Sequence, residues 1–134
     1  MTGAQRIAQE RERQKSKEGW SPEHDDSHKG SEMAKAAGCY AFMGCRDSED
    51  QHVSRFTSLY RGTLTMKDPW PWSEAWDKRH QHRHGYMRTV PANIGEIRDD
   101  DVRGRIRCLE IAGALCAAEI DRLQRAVDGD VLTV

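Results

Sequence analysis

The sequence predicts an all-α protein: one helical domain over residues 1–134, with an irregular, tryptophan-rich insertion at 46–99 between the helices of a bundle. Three observations favour this fold class. The charged segment from Ala4 to Glu18 lacks Gly and Pro, residues 33–40 carry a helical apolar pattern, and apolar residues recur every three or four positions between 106 and 127. We expect helices near 3–18, 25–45 and 100–127, packed against one another.

Composition excludes several classes of protein. The chain has 134 residues and a net charge of −1, which gives no general attraction to nucleic acid or to an anionic membrane. No apolar run approaches the roughly 20 residues of a membrane span, and the N-terminus lacks the apolar segment of a signal peptide. We therefore expect a cytoplasmic protein that binds neither membrane nor nucleic acid. The four cysteines lack C-x2-C spacing and are interpreted as reduced thiols.

The first helix has a clear start and a thin apolar face. Thr2 is a suitable N-cap, and the apolar residues are Ala4, Ile7 and Ala8. The charged run that follows, as far as Glu18, is interpreted as a solvated face with opposite charges at helical spacing.

The second helix follows the start signal Ser21-Pro22-Glu23. An apolar stripe at helical spacing then predicts a face packed on a partner helix: Met33, Ala36, Ala37 and Tyr40.

The last helix carries a seam of coiled-coil type, in which we expect Leu109 to be buried. Its members are Ile106, Leu109, Gly113, Cys116, Ile120, Leu123 and Val127. Residues 111–118 are apolar nearly all round, more than one short partner can cover. We therefore expect a homodimer built partly on this helix, with Gly113, Ala114 and Ala117 permitting close contact.

A dense group of ionisable residues marks the start of the second helix and is the candidate site: His24, Asp25, Asp26, His28 and Glu32. If the helix already runs through His24, then His24, His28 and Glu32 share one face and could ligate a divalent metal ion such as zinc, manganese or iron. The alternative is a hydrated helix start, in which the aspartates stabilise the positive N-terminal end of the helix dipole and the histidines titrate freely.

The insertion contains three tryptophans within seven residues: Trp70, Trp72 and Trp76. One interpretation is a loop pinned across the helices, and the other is an exposed aromatic patch for a ligand or a partner. The basic segment from Lys78 to His84 follows, and is interpreted either as a solvated loop or as a metal or anion site.

Two stretches resemble a known family. E-R-E-R-Q-K-S-K-E-G-W followed by G-S-E-M-A-K-A-A resembles the start of phage-borne MazG-like proteins, and C-L-E-I-A-G-A-L-C-A-A-E-I-D-R-L-Q-R is similar to their closing helix. E-G-W-S-P-E-H-D-D also resembles a motif of small phage and prophage proteins. The MazG-like resemblance implies an all-α nucleoside triphosphate pyrophosphohydrolase, assembled as a dimer or tetramer, with magnesium held by an E-x-x-E pair and a later E-x-x-D pair.

The chain departs from that family at the metal motif. When the second glutamate of the family's E-x-x-E pair is aligned with Glu32, the first glutamate of that pair falls on Lys29. The later acidic pair falls on Cys108 and Ile111. One carboxylate does not hold magnesium, which requires several oxygen ligands.

The sequence therefore favours a phage-type accessory protein that binds a nucleotide-like molecule or a host defence protein, without a catalytic residue. The alternative is a divalent-metal-dependent nucleotide pyrophosphohydrolase with an altered metal site. The predicted ligand-binding residues are Trp20, His24, Asp25, Asp26, His28, Glu32, Trp72 and Arg79.

Overall fold

The computed structural model describes residues 1–44, 57–60, 63–66, 70–82 and 102–129. These form helices α1 (Gly3–Lys17), α2 (Pro22–Asp26), α3 (Glu32–Phe42), α4 (Arg79–His82) and α5 (Val102–Asp128), and a 3-10 turn at Glu74–Trp76. The fold is all-α, as predicted, with the long α5 as the element on which α1 and α3 both pack. None of the helices described here is both long enough and apolar enough to cross a membrane.

The helix predicted near 3–18 is confirmed as α1, and its start is fixed by a capping box. The Thr2 hydroxyl accepts a hydrogen bond from the Gln5 N–H at 3.2 Å, and the Gln5 side chain accepts one from the Thr2 N–H at 2.7 Å. These bonds satisfy two donors that a helix terminus otherwise leaves to water.

The prediction of a single helix over 25–45 is wrong, because the chain forms two helices in this region. Ser21 caps α2 through its hydroxyl, Pro22 occupies the first turn, and α2 ends after five residues. The break continues to Ser31, whose φ of 68° is left-handed and incompatible with a continuing helix. The α3 helix then starts at Glu32.

The core lies between α3 and α5. Met33, Ala36, Ala37 and Tyr40 of α3 are all buried, so the predicted apolar stripe of this helix is confirmed. The facing side of α5 contributes Cys108, Ala112, Leu115 and Ala118. Small residues dominate the contact, which lets the two helix backbones approach closely.

The prediction that the seam on the last helix is buried within the chain is wrong. Leu109 is 47% exposed and Ile120 is 64% exposed, while the buried face of α5 runs instead through Gly104, Cys108 and Leu115. The small residues proposed for a dimer contact also serve packing within the chain. Ala114 is fully buried, and Ile7 of α1 occupies the space where Gly113 lacks a side chain.

The region predicted as an irregular insertion contains a short hairpin, and its first strand lies within the segment 53–60 for which the sequence allowed either a short helix or a strand. Strands β1 (Thr57–Tyr60) and β2 (Thr63–Met66) pair antiparallel, with Leu59 opposite Leu64. Residues 70–82 then return to the helices, with Trp70 and Trp72 packed against the core.

Candidate functional site

A cavity of about 360 Å³ opens between α1, the 20–28 segment, residues 70–82 and the middle of α5. Its walls combine aromatic rings, apolar side chains and charged groups. The lining residues are Glu10, Arg13, Gln14, Glu18, Trp20, His24, His28, Tyr40, Trp70, Trp72, Trp76, Lys78, Gln81, His82, Arg107, Ile111 and Leu115. A volume of this size accommodates a small organic ligand.

Aromatic rings form a continuous wall of this pocket. The Trp70 and Trp72 rings lie 5.6 Å apart at 87°, edge to face, and Tyr40 meets Trp70 edge-on at 5.8 Å. Trp20 lies 6.3 Å from Trp72 and stacks on the ring of His24 at 5.6 Å. Such contacts hold the rings in fixed orientations, so the wall is preformed for a planar ligand.

An ionic network forms another part of the pocket lining. The buried Glu10 carboxylate accepts hydrogen bonds from Arg13 Nε at 2.8 Å and Nη2 at 3.0 Å, and Arg107 Nη1 lies 2.8 Å from it. Burial by itself would raise the pKa of Glu10, but the hydrogen bonds from Arg13 and Arg107 outweigh it and lower the pKa below 4.5. Arg13 also reaches Glu18 at 2.9 Å. Glu10 is therefore an anion that fixes both arginines.

Two polar atoms of the pocket have no hydrogen-bond partner among the described residues. One is the acceptor Gln14 Oε1, on a side chain that is only 1% exposed, and the other is the donor Trp72 Nε1. Both atoms have almost no accessible surface, and a buried polar group without a partner is costly, so a ligand that reached either atom would gain by pairing with it.

The pocket carries a small excess of positive charge. Three cations, Arg13, Lys78 and Arg107, face two carboxylates, Glu10 and Glu18, so the lining charge is +1 with the histidines neutral. Both arginines are engaged by Glu10, whereas the ammonium group of exposed Lys78 has no ion-pair partner within the described part of the chain. Lys78 is thus the cation best placed to meet an anionic group.

Contacts of Tyr40 anchor the 70–82 segment to α3. The Lys78 N–H donates a hydrogen bond to the Tyr40 hydroxyl at 3.0 Å. Burial raises the pKa of Tyr40 well above its ordinary value, although the Lys78 bond opposes this, so the group remains a neutral phenol. This bond positions Lys78 and the Trp70–Trp72 wall relative to the core.

Arg79, predicted from the sequence as a ligand-binding residue, does not line the pocket. Its guanidinium is fully buried and makes a bidentate pair with Asp77, at 2.9 Å to Oδ1 and 2.7 Å to Oδ2. It also lies 5.0 Å from the centre of the Trp70 ring, on which it forms a cation–π contact. Arg79 therefore supports the aromatic wall from behind.

Of the predicted site residues, Trp20, His24, His28 and Trp72 do line the pocket. The histidine rings meet edge-on at 4.8 Å, and His28 also lies 5.3 Å from Trp72. Burial, followed by the charge of His24, lowers the pKa of His28 below 6.5. At neutral pH the His28 ring is therefore an uncharged part of the wall.

The other predicted residues have separate roles. Asp25 is completely buried and binds Arg11 Nη2 at 2.9 Å and His24 Nδ1 at 3.1 Å, which ties α2 to α1. Asp26 points to the surface and pairs with Arg125 at 2.7 Å. Glu32 accepts from the Gly30 N–H at 3.1 Å and so stabilises the break before α3.

The predicted metal-ligating set is not assembled as one face. The break at 27–31 interrupts the spacing of His24, His28 and Glu32, and His28 Nδ1 lies 3.9 Å from the nearest Glu32 oxygen. Within the ranges that the structure describes, no three His, Cys, Asp or Glu side chains are grouped to hold a metal ion. Arg83 and His84 of the basic segment lie outside those ranges.

Sequence reasoning missed the contribution of α1. Glu10, Arg11 and Gln14 are buried although the segment was interpreted as solvated. A signal was present, because Ile7, Glu10, Arg11 and Gln14 follow the i, i+3, i+4, i+7 spacing of an inward face.

Comparison of the chain with protein-family models, with curated proteins and with solved structures found no match. The resemblance to MazG-like proteins therefore stays a prediction from the residues quoted above.

Proposed function

We propose that this protein acts by binding, and that the pocket captures a nucleotide-like small molecule without converting it. The observation that carries the proposal is the aromatic wall of a pocket whose lining also includes an acceptor and a donor left without partners among the described residues, Gln14 Oε1 and Trp72 Nε1. A nucleobase is a planar ring whose edge offers both donors and acceptors, so it matches this combination.

Charge supports an anionic substituent on that ring. Lys78 adds a cation without an ion-pair partner in the described chain, next to the aromatic wall that Tyr40 and Trp70 build. An ammonium group binds phosphate as a point charge. In the setting that the resemblance to phage proteins implies, capture of such a ligand would serve counter-defence in the host cytoplasm.

A thermal-shift panel of nucleosides, nucleotides and cyclic nucleotides tests the proposal, with isothermal titration calorimetry on the ligands found. A ligand present at about 100 times its dissociation constant adds about 2.7 kcal/mol to the free energy of unfolding. We expect Trp72→Ala to weaken binding by about 1–3 kcal/mol, the contribution of one base–aromatic stack. Lys78→Ala should weaken the binding of a nucleotide but leave its nucleoside unaffected.

Asp26→Ala is the matched control, because Asp26 pairs with Arg125 at the surface and does not line the pocket. Affinity that is unchanged in Trp72→Ala, or a panel without any stabilising ligand, would contradict the proposal. Trp76 lines the pocket but is also 54% exposed, so a Trp76→Ala variant that keeps its nucleotide affinity and loses its effect in the host cell would point instead to a host protein.

The proposal also predicts that the protein does not release pyrophosphate from nucleoside triphosphates. Lys29, Cys108 and Ile111 occupy the positions at which the resembled enzymes carry carboxylates, and Cys108 and Ile111 are buried. Incubation with magnesium or manganese and each triphosphate, followed by pyrophosphate detection, checks this. Turnover that Glu32→Gln abolishes would establish the enzymatic alternative.

A further inference from the structure

The exposed face of α5 carries most of the exposed large hydrophobic residues in the described part of the chain. The described part of the chain has seven exposed large hydrophobic residues. Five of them lie on α5: Val102, Ile106, Leu109, Ile120 and Val127. Exposed Cys116, half-buried Leu123 and Gly113 complete the same row. We call these eight positions the outer seam.

The outer seam lies on the side of α5 that faces away from the pocket. Ile111, which lines the pocket, is two residues from both Leu109 and Gly113, about 200° round the helix from each, and Leu115 is likewise two residues from Gly113. At Gly113 the seam has no side chain of its own, but Ile7 of α1 fills that space, since a Cβ built there would lie 2.5 Å from Ile7 Cδ1. The surface is therefore apolar along its whole length.

The spacing of the outer seam is symmetric. Its successive intervals are four, three, four, three, four, three and four residues, centred between Ala114 and Leu115. Reversing the helix direction superimposes the seam on itself, with Val102 opposite Val127, Ile106 opposite Leu123, Leu109 opposite Ile120 and Gly113 opposite Cys116. The side chains are matched in character at the three outer pairs, and at the centre a position without a side chain meets a small one, as an isologous two-fold contact allows.

Two exposed charges beside the seam favour the same arrangement, and the like-charged Glu110 and Asp121, which would meet at the same offset, are each paired with an arginine of α1. Arg103 at the N-terminal end and Asp128 at the C-terminal end are both exposed. In an antiparallel pair, Arg103 of one helix and Asp128 of the other lie about 3 Å apart along the axis, since each residue adds about 1.5 Å. The opposed helix dipoles attract in the same orientation.

We propose that the outer seam is the contact surface for a second copy of this chain, with the two α5 helices antiparallel about a two-fold axis near Ala114 and Leu115. The occupant follows from the symmetry of the spacing, which complements itself. In this dimer Leu109 packs on Ile120 of the partner, and each pair occurs twice.

Charge substitutions at this pair test both the dimer and its direction. Leu109→Lys alone and Ile120→Glu alone should each raise the dimer dissociation constant at least about tenfold, because a charge then faces an apolar side chain at two places. An equimolar mixture of these two variants should form a heterodimer, since the introduced lysine of one faces the introduced glutamate of the other while the second pair remains leucine on isoleucine. A mixture of Leu109→Lys with Ile120→Lys should not.

Sedimentation equilibrium and light scattering give the readout, for a chain of 15.3 kDa. Ala34→Glu, a charge placed at an exposed position of α3, is the control and should leave the dimer intact. Circular dichroism verifies that each variant is folded. A monomer mass for the unchanged protein at tens of micromolar, unaltered dimerisation of both single variants, or no heterodimer in the mixture would each overturn the proposal.

A measurement on the unchanged protein avoids any folding defect of the variants. Cys116 is exposed in the single chain but lies at the centre of the proposed contact. Its alkylation by a maleimide, located by peptide mass spectrometry, should slow as protein concentration rises through the dimerisation range. Labelling of Cys116 at the same rate at every concentration would exclude the contact.

Discussion

At the scale of single residues, the fold depends on charges that have been taken out of water. Asp25 has no exposed surface, and its carboxylate is held by Arg11 and His24. A buried charge of this kind is stable only with its partner in place, because the desolvation cost remains when the partner is removed.

We therefore expect Arg11→Ala to lower the free energy of unfolding by about 3–5 kcal/mol, since it leaves the Asp25 carboxylate buried without its cation. Arg125→Ala, which removes the cation of the exposed Asp26 pair, should cost no more than about 1 kcal/mol. Urea denaturation of both variants measures the difference. Equal losses in the two variants would show that the Asp25 pair is not a structural centre.

At the scale of elements, Tyr40 joins the 70–82 segment to α3 through two contacts. The Tyr40 hydroxyl accepts the Lys78 N–H, and its ring meets Trp70 edge-on. This contact joins residues 38 positions apart and fixes one wall of the pocket.

Tyr40→Phe keeps the ring and removes only the acceptor, so the Lys78 N–H loses its partner. We expect a loss of about 1–3 kcal/mol in stability, the cost of an unsatisfied partly buried donor. Hydrogen exchange at Lys78 should accelerate more than exchange in the middle of α5. Protection at Lys78 that does not change would mean that other contacts hold the segment.

Helix α5 shows why its type was predictable and its orientation was not. Two rows at alternating spacings of three and four residues run along it, one through Leu109 and Ile120 and the other through Cys108 and Leu115. The sequence favours burying the row with larger side chains. The structure buries the row of smaller ones, because they allow α3 to pack closely and leave room for the tryptophans of the 70–82 segment.

The site was less accessible to sequence reasoning than the helices were. Trp20 and the clustered His24 and His28, which the sequence grouped in one candidate site, do line the same cavity. The clustering could not reveal that Asp25 is bound by Arg11, or that Gln14 faces inward, since both facts depend on how α1 crosses the other helices. Local pattern predicts a helix, whereas burial of a polar side chain is decided by partners distant in the chain.

At the scale of the whole molecule, two groups in the pocket make stability depend on pH in the same direction. The lowered pKa of His28 means that the unfolded chain takes up a proton first as pH falls below 6.5. The lowered pKa of Glu10 means that its contribution, present above 4.5, is lost as pH falls through the folded-state value. In both ranges the unfolded state binds more protons, so stability rises with pH.

Urea denaturation from about pH 7.5 to about pH 3.5 should show this decline in two stages. His28→Gln should flatten the upper stage and leave the lower one, whereas Lys29→Gln, an exposed neighbour, should change neither. A profile of His28→Gln that is parallel to the unchanged protein over the upper range would assign the decline to other groups.

The placement of the pocket and the outer seam on opposite sides of α5 determines how two copies would share ligands. In the proposed antiparallel pair the two cavities would lie on the sides of the α5 helices that face away from the contact. No single small molecule can then touch both, and pairing adds no avidity for a ligand of that size. Each chain should take up one equivalent with a Hill coefficient near one, whether it is alone or paired.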